Sequence, residues 1–428
     1  MKTFLAFTPT NTRMHISISR LMMVGSLAGL ALPPTSVLAQ TADRAATPAD
    51  STVDPVKTMV GRLDLEQYKA TIKGLTKFGD RRQGTDRNRA AVDWIEAQLK
   101  SYGCTPTERI TYQYEVPPPR QPMTAEQLAR FRSRTRDRTA GPGGSRMRGK
   151  IMPTGVNNDS LRQPDLDVRK LDTPQTVSGE RQEVYCTKVG TTHPDEMYIV
   201  GGHMDGIGWG EAANDDGSGT ALVMQLARVF SSPDVKTDRS IRFILWNNEE
   251  SGLNGSRAYA EQRDSLQGKE FPVGSGKYPE PKWLGIIQHD MMMFDHGMPR
   301  PDGTLSPTQR PEADVNVEFQ SKSKFADASQ RLAWALADAN DKYATDYPAH
   351  VGQHMTNTDS APFQDLAPSI SVRENERGAQ IGAGWDPNWH QPTDMFKTYS
   401  DADFRLGLNA AQTTLGAVAT LAGASLVK

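Results

Sequence analysis

The chain has 428 residues, 37% of them hydrophobic and 23% charged, with 49 basic against 51 acidic side chains. Such a chain has the length and apolar content to bury a large core, which excludes a disordered polypeptide. Its near-neutral, slightly acidic balance gives no general affinity for nucleic acid. The two cysteines, Cys104 and Cys186, lack Cys or His partners at finger-like spacing and so exclude a thiolate metal site. A disulfide in an oxidising compartment and two separate buried thiols both remain open for them.

At the N-terminus, Arg13 and Arg20 precede an apolar run from Leu21 to Leu32, Pro33-Pro34 ends it, and Val37-Leu38-Ala39 offers the small residues a signal peptidase prefers. The expectation is a secretory signal over residues 1–39, too short in its apolar part for a stable membrane span, and a product exported to the bacterial periplasm or medium. Residues 40–60, rich in Ala, Thr, Asp and Pro, read as a flexible tether. The folded domain is expected over 61–428, with structure starting near Leu63.

Leu65, Tyr68, Ile72 and Leu75 recur at helical spacing, as do Ala91, Trp94, Ile95, Leu99 and Tyr102. Two amphipathic helices therefore flank the turn from Phe78 to Arg89. Residues 115–175 depart from any periodicity: a Pro-rich start is followed by an Arg-rich run from Arg130 to Arg148. A basic run of this kind is more often a solvated insertion than a binding surface. Within it Thr124 and Gln127 have capping-box spacing, which predicts a short helix to about Arg132.

From residue 181 onward strands and helices alternate. Gln182–Val189, Met197–Gly202, Ile241–Trp246, Trp283–Gln288 and Ser369–Val372 read as buried strands, and Thr220–Phe230, Asp327–Tyr343 and Asp401–Leu421 as helices. The pattern predicts an α/β fold, a three-layer sandwich with a mixed, largely parallel central sheet flanked by helices.

Sheets of this class bind ligands at the carboxyl ends of their strands, and the polar residues collect there. His203 and Asp205 stand in "GGHMDG", Asp215 in "NDDGSG", Glu249 and Glu250 in "NNEESG", Asp290 in "QHDMM" and His390 in "WHQPTD". Taken singly, each has an ordinary use: a core histidine, a helix cap, an exposed loop acid. Adjacent carboxylates at the mouth of a sheet, however, need a cation or a shared proton to relieve their repulsion.

Together these motifs, in this order, resemble the M28 family of zinc exopeptidases, the co-catalytic aminopeptidase group. The resemblance covers about residue 60 to the C-terminus apart from the 115–175 insertion. It implies two Zn2+ ions bridged by Asp215, one also held by His203 and Asp290, the other by Glu250 and His390, with Mn2+ or Co2+ as substitutes. Glu249 is then the general base, Asp205 orients the His203 imidazole, and Asp215-Asp216 is joined by a cis peptide. The implied activity is removal of N-terminal residues from peptides. Two features depart from the family: Trp389 stands where some relatives have Tyr, and Thr358-Asp359-Ser360 replaces a Ser-Asp-His segment.

Other readings share the scaffold. The metal residues do not encode which peptide terminus is attacked, so a carboxypeptidase of small peptides stays open. A glutaminyl cyclase uses a single zinc and is disfavoured by the presence of both His203 and Asp290. A non-catalytic binding ectodomain is disfavoured because the whole ligand set and the base are present. A serine nucleophile at Ser218 lacks both the elbow sequence and a His-acid pair. Arg373, Glu374, Asn375 and the loop from Gly382 to Asn388 are candidates for the substrate cleft.

Overall fold

The computed structural model describes residues 54–118, 124, 126–127, 156–295, 315–353, 357–374 and 386–427. The expected signal peptide, most of the tether and the Arg-rich run lie outside the described residues.

Structure begins earlier than Leu63. Asp54 accepts hydrogen bonds from Val56 N and Lys57 N and caps α1 (Pro55–Val60), whose Val56, Met59 and Val60 are buried. The end of the stretch read as tether is therefore helical; a helix of under two turns is too short for periodicity to reveal it. The next helices match the spacing, α2 (Leu65–Thr76) capped by Asp64 and α3 (Asp86–Ser101) capped by Thr85. The Thr124–Gln127 capping box is present, with reciprocal bonds of 3.0 and 3.2 Å.

The insertion leaves from β1 (Thr107–Tyr114) and returns through α4 (Leu166–Asp172) into β2 (Gly179–Lys188). There follow β3 (His193–His203), α5 (Gly217–Phe230), β4 (Val235–Lys236), β5 (Arg239–Trp246), α6 (Asn254–Arg263), β6 (Lys282–His289), β7 (Val315–Phe319), α7 (Ala326–Tyr343), β8 (Ala349–Gln353), β9 (Ser369–Glu374), α8 (Asp401–Leu421) and β10 (Ser425–Leu426). Eight strands form one sheet in the order β1-β2-β5-β3-β6-β9-β7-β8. Its centre, β5-β3-β6-β9, is parallel, while β1, β2 and the β9–β7 pairing are antiparallel.

Side-chain alternation along β5 builds the two faces of this sheet. Ile241, Phe243 and Leu245 enter the larger core with α2, α3, α5, α7 and α8, while Ile244 and Trp246 enter a smaller one with Tyr259, Trp283 and Phe363. In the smaller core the four aromatic rings pack with centroids 5.4–6.2 Å apart. Each such ring contributes roughly 1.5–3 kcal/mol through burial. Cys104, just past α3, and Cys186, on β2, form a disulfide with Cα atoms 5.7 Å apart, both buried. That closes the choice left open above.

The parallel arrangement delivers the ends of β3, β5, β6 and β9 to one edge of the sheet. Glycine makes that edge compact: a Cβ on Gly202 would lie 2.8 Å from the backbone of Gly219 in the first turn of α5. No described helix is long and apolar enough to cross a membrane.

Candidate metal centre

His203 is the last residue of β3, Asp290 follows β6 directly, Glu249 and Glu250 lie just past β5, and Asp215 precedes α5. The late His390 arrives from a separate loop. Asp215 joins the set into one centre. Its Oδ1 is 3.3 Å from His203 Nε2, and its Oδ2 is 3.0 Å from His390 Nε2. Asp290 Oδ1 lies 3.9 Å from His203 Nε2, and Glu250 Oε2 lies 2.9 Å from His390 Nε2.

Among the described residues, the groups with metal-ligand spacing are His203-Asp215-Asp290, Asp215-Glu250-His390 and His203-Glu249-Glu250. Two of them share Asp215, one through each oxygen.

The residues fit divalent cations. Glu250 Oε1 and His390 Nδ1 are buried without a hydrogen-bond partner, and the donors are carboxylates and imidazoles, a set suited to zinc. The field of the site's own side chains is strongly negative. Burial disfavours the His390 cation, yet Glu250 and Asp215 outweigh it and push its pKa up to about 11. Asp215 moves the opposite way: burial raises it, but the two histidines hold it below the usual carboxylate range. Burial, reinforced by Glu250, Asp359 and Asp290 against the opposing His203, pushes Glu249 upward. A cation held beside it would work against that last shift.

Asp205 departs from the expected geometry. The partner of His203 Nδ1 is the Asp205 backbone carbonyl at 2.9 Å; the Asp205 carboxylate stands 3.9 Å from that nitrogen. The carboxylate instead accepts the backbone N–H of Glu249 at 3.0 Å, so it fixes the turn that carries the expected base.

The second acid of the turn, Asp216, is structural. It caps α5 by accepting Gly219 N and also takes the backbone N–H groups of His203 and Met291, at 2.9–3.1 Å. The Asp215-Asp216 peptide is cis.

Several supporting residues carried no assigned role in the sequence. Asp394, quoted within "WHQPTD", accepts the backbone N–H groups of Asn214 and Asp215, at 2.8 and 3.1 Å. Buried Tyr399 lies 2.7 Å from Asp386 and 3.0 Å from Asp394 through its hydroxyl. Arg81 spends its guanidinium on the carbonyls of Met204, Glu211 and Ala212, bracing the loop between His203 and Asp215. Arg373, a cleft candidate, is fully buried on β9 with Nη2 3.2 Å from Asp290 Oδ2.

Glu374 ends the same strand, facing Asn214, while Asn375 and residues 381–385 lie outside the described set. Asp359 is buried and accepts the Ser256 hydroxyl at 2.6 Å. Trp389 stacks on His390, ring centroids 4.0 Å apart.

Comparison with known proteins bears on the family and the fold. The model of peptidase family M28 matches residues 183–412. A probable lipoprotein aminopeptidase, LpqL, of Mycobacterium tuberculosis is 27% identical over 278 residues, 63% of this chain and 48% of that protein. The chain spans about half, or less, of the length of the curated relatives it matches. Among solved structures, a zinc aminopeptidase of Bacillus subtilis superposes with a TM-score of 0.56 at 16% identity, over 84% of this chain and 95% of that one. A Porphyromonas gingivalis glutaminyl cyclase does so with 0.50 at 16% identity, over 84% and 99%. At these identities the structural likeness speaks for the fold alone.

Proposed function

From the premise that this chain belongs to peptidase family M28, we propose that it is an exported di-zinc metallo-exopeptidase, an aminopeptidase that removes N-terminal residues from peptides. The observation that carries this is Asp215, whose two oxygens each face a different histidine at 3.3 and 3.0 Å. A carboxylate facing two histidines in this way supports a bridge between two ions. His203 and Asp290 would hold one, Glu250 and His390 the other, with Mn2+ or Co2+ as substitutes. The buried disulfide supports an oxidising compartment and hence export to the periplasm or medium.

When bound, the two ions polarise the scissile carbonyl and lower the pKa of the attacking water. Glu249 takes the proton from that water as it attacks and returns it to the departing amine, which lets one carboxylate serve as base and then as acid. Asp205 keeps Glu249 in reach by holding its backbone N–H. Arg373, beside Asp290, balances part of the negative charge and orients that ligand.

The reading is tested with aminoacyl-p-nitroanilides and their N-blocked counterparts, assayed with zinc, with chelator and in Glu249→Gln. Cleavage of free-amine substrates alone, lost with chelator and in the variant, is the expected result. No cleavage by zinc-loaded protein would overturn it. Blocked dipeptides with a free carboxylate test the carboxypeptidase reading.

Peptides with N-terminal Gln test the cyclase reading, which has its support in the shared fold. Turnover dependent on one zinc per chain would favour it.

A further inference from the structure

Residues 156–172, the returning limb of the insertion, do not simply pass over the surface. They meet the rest of the fold at three polar points, two of them on loops that carry the proposed metal ligands. Asn157 N donates to the carbonyl of His390 at 3.0 Å. Gln163, fully buried, donates through Nε2 to the carbonyls of Trp209 at 2.6 Å and Pro392 at 2.9 Å, and its Oε1 accepts Asp165 N at 3.0 Å. Asp172, also buried, accepts Asp80 N at 3.0 Å and lies 3.6 Å from Arg87 Nε.

The two carbonyls reached by Gln163 belong to different loops, one between His203 and Asp215, the other directly after His390. Only an amide offers two donors and an acceptor in so small a space, so the side chain's orientation is fixed by its partners. His390 needs such outside support. Its backbone is left-handed (φ +56°), a strained conformation for a non-glycine residue that persists only where its surroundings over-determine it. Below it, Gly208 (φ +105°) lets the loops touch: a Cβ there would come within 2.4 Å of the His390 carbonyl carbon.

We propose that the insertion's returning limb is part of the metal centre's framework, and that Gln163 is a positioning residue that fixes His390 as a ligand by clamping the Trp209 and Pro392 loops together. This rests on the di-zinc reading above. Gln163 touches neither metal nor substrate in this role; it acts through the loop that carries the imidazole.

The test is zinc affinity, measured equivalent by equivalent against a chelating indicator, for the full-length protein as exported, Gln163→Ala and His390→Ala. His390→Ala identifies the equivalent that belongs to the loop. Gln163→Ala is expected to weaken that same equivalent by about 10- to 100-fold, the range for residues that orient a ligand, and to leave the other unchanged. A general loss of stability would move both equivalents. Should Gln163→Ala misfold, Gln163→Met keeps the length without the donors and carries the same comparison.

Leu161→Ala, on the same limb with Leu161 75% exposed, serves as a control with both equivalents intact. Equal affinities in wild type and Gln163 variants would overturn the inference while leaving the di-zinc reading standing. Failure of the wild type to bind a second zinc would instead overturn the reading on which it rests.

Discussion

The two halves of the centre are built differently. His203 and Asp290 are held by the sheet: one is the last residue of β3, and the other continues the ladder past β6, its N–H donating to Val372 O at 3.1 Å. Glu250 and His390 are held by turns, with left-handed backbone at Asn248 (φ +67°) and at His390 itself (φ +56°). A parallel strand places a side chain through many cooperative backbone bonds, whereas a turn depends on a few side chains brought from elsewhere. The strand-held half should keep its metal when the loop-held half loses it. Stepwise chelation would then remove one ion well before the other.

The largest expected effect erases the comparison altogether. Asp215→Ala takes a ligand from both halves, so bound zinc and measurable turnover should both disappear, as read by metal analysis and peptidase assay. Next is Glu249→Gln, which should lower kcat by about 10²–10⁴-fold with both zinc equivalents retained. Loss of zinc in that variant would show that Glu249 is a ligand instead of the base.

Replacing Cys104 and Cys186 with serine should cost about 2–5 kcal/mol in chemical denaturation. Both zinc affinities should stay in place, because the disulfide ties α3 to β2 away from the strand ends.

Both halves should respond to protons: burial disfavours the His203 cation, yet Asp216, Asp215 and Asp290 outweigh it and raise its pKa, as Glu250 and Asp215 do for His390. A histidine whose folded pKa is raised stabilises the metal-free fold below its unfolded value of about 6.5. For His390 that contribution is lost as pH climbs toward about 11. Zinc needs the neutral imidazole, so loading at neutral pH must expel a proton, and affinity must fall as pH falls. A weakly buffered zinc titration reads the release directly; no release would contradict the assigned field.

The smallest effect lies far from the site. Burial raises the Glu96 carboxyl, but Lys100, Thr107 and Arg109 together bring it down to about 2. Its contribution is present above the unfolded value of about 4.3 and is lost as pH falls through about 2. Glu96→Gln should cost about 1 kcal/mol or less at neutral pH.

The proposed ligand set was legible in the sequence because each member except His390 abuts an element whose apolar run announces it. Ile241–Trp246 points to Glu249 and Glu250, and Trp283–Gln288 to Asp290. His390 was found only through the company of the other motifs. What escaped depends on contacts between distant parts of the chain. Asp394 serves Asp215 across 179 residues, and Gln163 reaches Pro392 across 229; no local pattern announces either.

The missed strands have weak signatures of their own. In β1 only Ile110 is buried, because it is an edge strand facing solvent along most of its length. At the opposite edge the five-residue β8 (AHVGQ) is likewise too short to alternate clearly; β7 (VNVEF) is the exception, since Val315, Val317 and Phe319 alternate with Asn316 and Glu318 and enter the core. For Asp205 the family resemblance implies contact with the His203 imidazole; that contact is made by the Asp205 backbone carbonyl, while its carboxylate accepts the Glu249 backbone N–H.

The most direct test of the account is anomalous scattering at the zinc edge from crystals of zinc-loaded protein. Two peaks flanking Asp215, about 3.5–4 Å apart, one beside His203 and Asp290 and the other beside Glu250 and His390, are predicted. A single peak at full zinc loading, or two peaks that do not share Asp215, would contradict it.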